Sequence, residues 1–315
     1  MPLFKTGRLN VSQPLLKDRY IVPPFSIMNT ITQNWQQRKD LWERMGIDSA
    51  QGRDVKRNNA NPVNTFSARG KQAKEAERTS TFDPLLCEIM YKWFSNEGDY
   101  VLDPFAGGSV RGIVATSLNR NYLGIDLSQE QVDENTRQYI ELTKRYNISN
   151  VPMWRCADSE VFLRESAYTS MMEYDFVFTC PPYYNLEKYT NYAEDLSNMP
   201  TYKDFLNKYA QILRYASMML ADERFFVIVV SEIRNPETGV YYGFVPDTIR
   251  ILKECGLNYY NEIILENNIG SLPIRAPKYF NQSRKIGRHH QNILVFFKGD
   301  TKKIPQRYKE FFDGK

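Results

Sequence analysis

Two successive prolines, Pro181 and Pro182, close an apolar run over residues 174–178 that reads as a buried strand. Proline cannot donate to a sheet ladder and fixes its own φ, so the strand has to stop there and the backbone beyond it is stiff. The tetrapeptide Cys180-Pro181-Pro182-Tyr183 therefore lies just past a strand's carboxyl end. That is the edge at which open α/β sheets place their ligands. A chain carrying this feature has to build a sheet whose strands run in from helices and end at a common rim.

The rest of the sequence supports that reading. From Thr79 onward, apolar runs of strand length occur at 100–103, 122–126, 151–156, 174–179, 225–231, 258–265 and 291–298. Helical patterns fall at 84–94, 110–118, from about 128 onward, 202–219 and 245–255. Asp83 is placed as an N-cap, with Pro84 in the first turn behind it. Seven strands alternating with helices imply an α/β, doubly wound, mostly parallel sheet. Residues 1–78 are irregular, broken by Pro23-Pro24, Gly52, 58–61 and Pro62. One helix is expected there, over 34–45, with Trp35 and Trp42 seven residues apart and so on one face.

Composition removes several classes of function. The 315 residues are 42% hydrophobic and 25% charged, ordinary for a soluble domain. No run approaches the ~20 apolar residues of a membrane span, and the start lacks a signal peptide's apolar core. A cytoplasmic protein is expected. Cys87, Cys156, Cys180 and Cys255 are scattered, without a Cys-x-x-Cys pair, which argues against a disulfide framework or structural zinc. His289 and His290 are the only histidines, so a metal site or a Ser-His-Asp hydrolase has few candidates. No metal is expected.

Charge is unevenly spread. Residues 1–80 carry 14 Lys/Arg against 7 Asp/Glu, and residues 271–315 carry 11 against 3, while the middle is acidic. Basic flanks on an acidic body point to a polyanionic partner.

The stretch Asp103-Pro104-Phe105-Ala106-Gly107-Gly108-Ser109 ends a strand and opens a helix. Glycine there permits φ > 0 and lets a ligand approach the backbone closely. Asp126, ahead of Leu127, ends the second strand and is placed to bind ribose hydroxyls. Asp158, ahead of Ser159, follows the third and is placed to accept from an adenine amino group. Gly-x-Gly-x-x-Gly is absent, and the loop carries no basic residue before Arg111, so an adenosine cofactor without phosphate fits better than a dinucleotide.

These two loops together resemble the cofactor and catalytic loops of amino-group DNA methyltransferases, over roughly residues 79–299. The order of motifs is the gamma-like one. More closely, the chain resembles bacteriophage and prophage DNA methyltransferases, through Pro23-Pro24-Phe25-Ser26-Ile27, Trp35-Gln36-Gln37-Arg38-Lys39, Asp103 to Gly112, Cys180 to Tyr183 and Gly270-Ser271-Leu272-Pro273-Ile274-Arg275. The resemblance implies a class I, Rossmann-like methyltransferase fold and S-adenosylmethionine as cofactor. Asp103 would take its ammonium, and Thr79 and Ser80 would help close the methionine pocket. It implies methyl transfer to N4 of cytosine or N6 of adenine in double-stranded DNA, on a base turned out of the helix.

In the family, a polar residue and the next proline's carbonyl accept the amine's hydrogens, and the aromatic residue stacks on the base. Pro181 and Tyr183 match, Pro182 stiffens the loop, and Tyr184 offers a second ring. Cys180 stands where Asp, Asn or Ser is usual, and a thiol is only a weak acceptor. It is not placed like the nucleophile of C5-cytosine enzymes, which put Cys after a proline and lack Pro-Pro-Tyr.

DNA contacts are expected from two loops, 185–199 and 267–290, with Arg275, Lys278, Arg284, Lys285 and Arg288 in the second. The helix over 34–45 has two readings. Either its Trp face packs the arm on the core, or Arg38, Lys39 and Arg44 face outward and meet DNA. The expected division is an N-terminal arm, 1–78, a methyltransferase domain, 79–299, and a basic tail, 300–315. An RNA amino-methyltransferase and a non-catalytic DNA-binding protein of the same fold are the alternatives.

Overall fold

The structure is a computed structural model and describes residues 20–47, 56–57, 82–170 and 172–308. Thr79 and Ser80 lie outside them. The main sheet is built from β1 (Ile27–Asn29), β3 (Tyr100–Asp103), β4 (Asn121–Asp126), β5 (Met153–Cys156), β6 (Tyr174–Thr179), β8 (Leu220–Val230), β9 (Asn258–Glu266) and β10 (His290–Lys298). Their order is β1-β9-β10-β8-β6-β3-β4-β5. The neighbours from β8 to β5 run parallel, while β10 lies antiparallel to both β8 and β9. A separate two-residue ladder joins β2 (Lys56–Arg57) to β7 (Glu187–Lys188).

Side-chain alternation along the strands divides the interior in two. Phe176, Phe178, Val227 and Val229 face one core cluster, whereas Val177, Phe226, Ile228 and Val230 face the other. The first side is covered by α2 (Pro84–Phe94), α3 (Val110–Ser117) and α4 (Gln129–Thr143). The second is covered by α5 (Ser159–Thr169), α6 (Tyr202–Met219) and α7 (Phe244–Glu254). Helices on both faces explain why the central strands read as unbroken apolar runs. Asp83 caps α2 through Leu85 N and Leu86 N, at 2.8 and 3.4 Å.

The sheet holds eight strands, one more than the sequence reading gave. The addition, β1, pairs parallel with β9, Ile27 opposite Ile264. It leads into α1 (Gln33–Arg44), capped by Thr32, whose side chain accepts from Trp35 N. Trp35 is buried, and its Nε1 donates to Asp83 at 3.0 Å. Trp42 Nε1 and Arg38 Nε both donate to Glu88 on α2, at 2.8 and 2.9 Å. The Trp face therefore packs the arm on the body. Arg38 turns inward with it, against the outward placement expected for a DNA contact, because Glu88 is the buried charge it has to neutralise. Segment 267–290, read as irregular, contains α8 (Leu272–Ser283). A last short helix, α9, spans Ile304–Arg307.

The chain runs outward through β3, β4 and β5, then returns through β6 on the other side of β3. The switch point lies between β3 and β6, paired at Val101–Phe176 and Leu102–Val177. The glycine loop leaves β3 and the Pro-Pro loop leaves β6, side by side at the carboxyl rim.

Candidate functional site

A cavity of about 680 Å³ opens at this switch point, within the range of small-molecule sites. Its floor at one end is the glycine loop. Gly107 has φ +52°, a conformation that favours glycine. Its N–H donates to Asp126 at 2.9 Å and its carbonyl accepts from Asn135 at 2.7 Å. Asp126 also accepts from Ser128 N at 2.8 Å, so one carboxylate ties the loop to the end of β4. Gly124 on β4 makes room for the loop, since a Cβ there would stand 2.8 Å from that of Ala106.

Pro104, Phe105, Gly107, Gly108, Asp126, Leu127, Asp158 and Ser159 all line the cavity. Asp103, Ala106 and Ser109 are buried behind its wall. Ser109 donates to Gln138 at 2.7 Å. Asp103 is fully buried and accepts from Arg111 Nε (2.5 Å), Thr179 (2.6 Å), Tyr122 (2.8 Å) and Phe105 N (3.2 Å). This corrects the reading of Asp103 as the partner of a ligand's ammonium, because its oxygens already serve four protein donors. Burial works against the Arg111 charge, but Asp103 beside it raises the guanidinium's hold on its proton above the ordinary value. Burial, then Asp103, pushes the Tyr122 hydroxyl well up.

Asp158 caps α5 through Glu160 N at 2.8 Å and takes an ion pair from Lys208 at 2.6 Å. Lys208, in the middle of α6, escaped the sequence reading. It stands fifty residues away, and only the fold brings it to the cavity wall. Phe82 was also missed. Its ring lines the cavity and carries the Arg111 guanidinium at 4.6 Å from its centre.

At the other end stand Cys180, Pro181, Pro182 and Tyr183. Cys180 packs partly buried against the first core cluster. Tyr183 is held edge-on by Phe244, centroids 6.0 Å apart, and its hydroxyl accepts from Gln291 at 3.3 Å. Tyr184 is not a second ring for the site. It is buried against Tyr202, Phe205 and Tyr242, and its hydroxyl donates to Pro200 O at 3.2 Å. Successive residues leaving a strand point to opposite sides, so only one ring of the pair reaches the cavity.

The rim beyond Tyr183 comes from both loops expected to meet a macromolecule. Leu186, Tyr189 and Asp195 line it from the first, and Asn267, Asn268, Arg288 and His289 from the second. His289 Nδ1 is buried with no protein partner among the described residues. Arg288 donates to His290 O at 3.2 Å and to Asn292. Lys39 lines the cavity beside Asp83 at 4.0 Å, while Arg44 is exposed at the end of α1. Lys278 and Arg284 are exposed on and after α8; Arg275 and Lys285 are half-buried and line a second cavity of about 230 Å³. Among the described residues, no three His, Cys, Asp or Glu side chains are grouped to hold a metal ion, and no helix is long and apolar enough to cross a membrane.

The sheet is a mostly parallel, doubly wound α/β fold with one antiparallel strand next to the edge pair and a glycine loop at the switch point. Residues 16–137 match the family model described as DNA methylase. That match takes in the glycine loop and Asp126 and stops before Cys180. Among curated proteins, the chain is 34% identical over 77 residues to the type II methyltransferase M.HinfI of Haemophilus influenzae, covering 24% of this chain and 21% of that protein. It is 50% identical over 67 residues to the type II methyltransferase M2.DpnII of Streptococcus pneumoniae, covering 21% and 25%. The chain thus spans about a quarter of the length of these relatives. Among solved structures, magnesium protoporphyrin IX methyltransferase (ChlM) from Synechocystis PCC 6803 with bound SAM is 12% identical, at a TM-score of 0.46, over 76% of this chain and 88% of that one.

Proposed function

We propose that this chain is an S-adenosylmethionine-dependent DNA methyltransferase acting on an exocyclic amine, N4 of cytosine or N6 of adenine. The observation that carries the reading is one cavity holding both loops: the glycine loop with Asp126 at one end and the Pro-Pro-Tyr loop at the other.

The residues present fit such a cofactor. Each cation at the glycine-loop end already has a carboxylate: Arg111 has Asp103, Lys208 has Asp158 and Lys39 has Asp83. A phosphate would find no unpaired cation there among the described residues. Asp126 would take the ribose hydroxyls, and Asp158, steadied by Lys208, an adenine edge. S-adenosylmethionine supplies a methyl group on a positively charged sulfur. The chain's own part is to hold the acceptor amine. The Pro181 carbonyl, with Cys180 as a weak second acceptor, takes hydrogen bonds from the amine and directs its lone pair along the cavity. Tyr183 stacks on the base, with Phe244 and Gln291 fixing its ring. Proximity supplies much of the rate in such a transfer.

A base can reach Tyr183 only after leaving its duplex, through a mouth lined by Asn267, Asn268 and His289. Residues 79–299 would form the catalytic body, with 1–78 as a packing and DNA-contacting arm and 300–315 as a tail, in the cytoplasm of a prokaryotic or phage-infected cell.

Tyr183→Ala should abolish transfer of tritiated methyl to duplex DNA and leave S-adenosylmethionine binding within about twofold, by calorimetry. Undiminished transfer by that variant would sink the reading. Transfer to RNA but not DNA would replace its substrate.

A further inference from the structure

The segment from Asn267 to His290 contains Arg275, Lys278, Arg284, Lys285 and Arg288 and no Asp or Glu. In a chain with 37 acidic residues, that is a local surface built for negative charge. Its helix α8 buries no residue. It is nevertheless anchored. Leu272 at its start presses on Gly287, where a Cβ would stand 2.4 Å from Leu272 Cδ1. Leu272 also lines both the main cavity and the smaller one beside it, so α8 stands on the wall between them.

The helix has two distinct sides. Leu272, Arg275, Ala276 and Tyr279 face the smaller cavity. Ile274, Lys278 and Asn281, spaced i, i+4 and i+7, share the opposite face. All three are exposed, Ile274 at 80%. An apolar side chain, a cation and an amide on one exposed stripe match what a duplex groove presents: thymine methyls, phosphates and base edges. Asn is suited to the paired donor and acceptor of adenine in the major groove.

We infer that α8 is the helix that enters the major groove of B-form DNA, with Asn281 and Ile274 reading base edges and Lys278 meeting a phosphate. The inference rests on the DNA methyltransferase reading for its substrate. The occupant follows from charge and shape. Twelve helical residues extend about 18 Å, a length the open B-form major groove accommodates. A-form RNA has a major groove too deep and narrow for side chains to read. Docked there, α8 would bring the duplex over the cavity mouth at Asn267 and His289.

The test uses the full chain with a random-sequence duplex DNA library, sequenced for methylated bases, and with fluorescent DNA and RNA duplexes for binding. Asn281→Ala should relax the preference at one or two positions, losing about five- to a hundredfold of discrimination. Lys278→Ala should weaken binding evenly across sequences and make the salt slope shallower by about one. S-adenosylmethionine affinity should be unchanged in both, showing intact folding. The inference is overturned if both variants keep the parent's preference and salt slope, or if RNA duplex binds as tightly as DNA. Methyl transfer with unaltered preference in the variants refutes the helix's role and leaves the enzyme reading standing. DNA binding that depends on α8, without any methyl transfer, does the reverse.

Discussion

Asp103 and Arg111 form a buried pair in which each charge depends on the other, with side chains 0% and 6% exposed. Arg111 also donates to the carbonyls of Phe105 and Ala106, at 2.5 and 2.9 Å, so it pins the glycine loop from beneath. Asp103→Asn leaves a buried guanidinium without its counter-charge, a change that costs about 3–5 kcal/mol. Urea denaturation of the variant should show a loss of that order, and a loss below about 1 kcal/mol would mean the pair is not structural. The sequence showed that an acid ends β3 and a glycine turn follows. It did not show which way the acid points, because that is decided by Arg111, Tyr122 and Thr179 arriving from three other elements.

At the level of elements, α1 is held to α2 through two carboxylates, Asp83 at the N-cap of α2 and Glu88 within it. Burial alone would raise the Glu88 pKa, but hydrogen bonds from Arg38 and Trp42 and the nearby Lys92 bring it below its ordinary value of 4.5. A carboxylate with a lowered folded-state pKa stabilises fully above its unfolded value and loses that contribution as pH falls through the folded one. The α1–α2 contact should therefore hold at neutral pH and loosen as pH drops below about 4.5. Tryptophan fluorescence, through Trp35 and Trp42, should report the step, and Glu88→Gln should remove it; a step that persists in the variant would assign it elsewhere.

The Trp spacing disclosed this helix in advance. Helix α8 was hidden because Pro273 and Pro277 lie within it and glycines flank it, so its local pattern reads as a loop. It forms because Leu272 docks on Gly287. Strand β1 was hidden by its length, three residues being too short for any alternation to show, and it exists because β9 offers an unpaired edge.

For the molecule as a whole, the alternation of apolar strands and amphipathic helices made the sheet readable, since helices on both faces leave the strands apolar throughout. The cavity was readable only as two loops, because their adjacency depends on β6 returning beside β3, which no local pattern records. A ligand that binds the native state alone raises stability by mass action, about 2.7 kcal/mol at a hundred times its Kd. S-adenosylmethionine should therefore raise the thermal midpoint in a concentration-dependent way. NAD, with its pyrophosphate, should not; an equal shift with NAD would overturn the phosphate-free reading of the glycine-loop end.

Strand β10 lies between β8 and β9, buried from Asn292 to Phe297, yet it follows both in the chain. During synthesis, β8 and β9 leave the ribosome before the strand that joins them, and each has an edge of backbone N–H and C=O groups waiting for that partner. The sheet cannot knit together until residue 298 has cleared the exit tunnel. A truncation before β10 should therefore leave β8 and β9 unjoined and yield an adhesive fragment, not a smaller working domain.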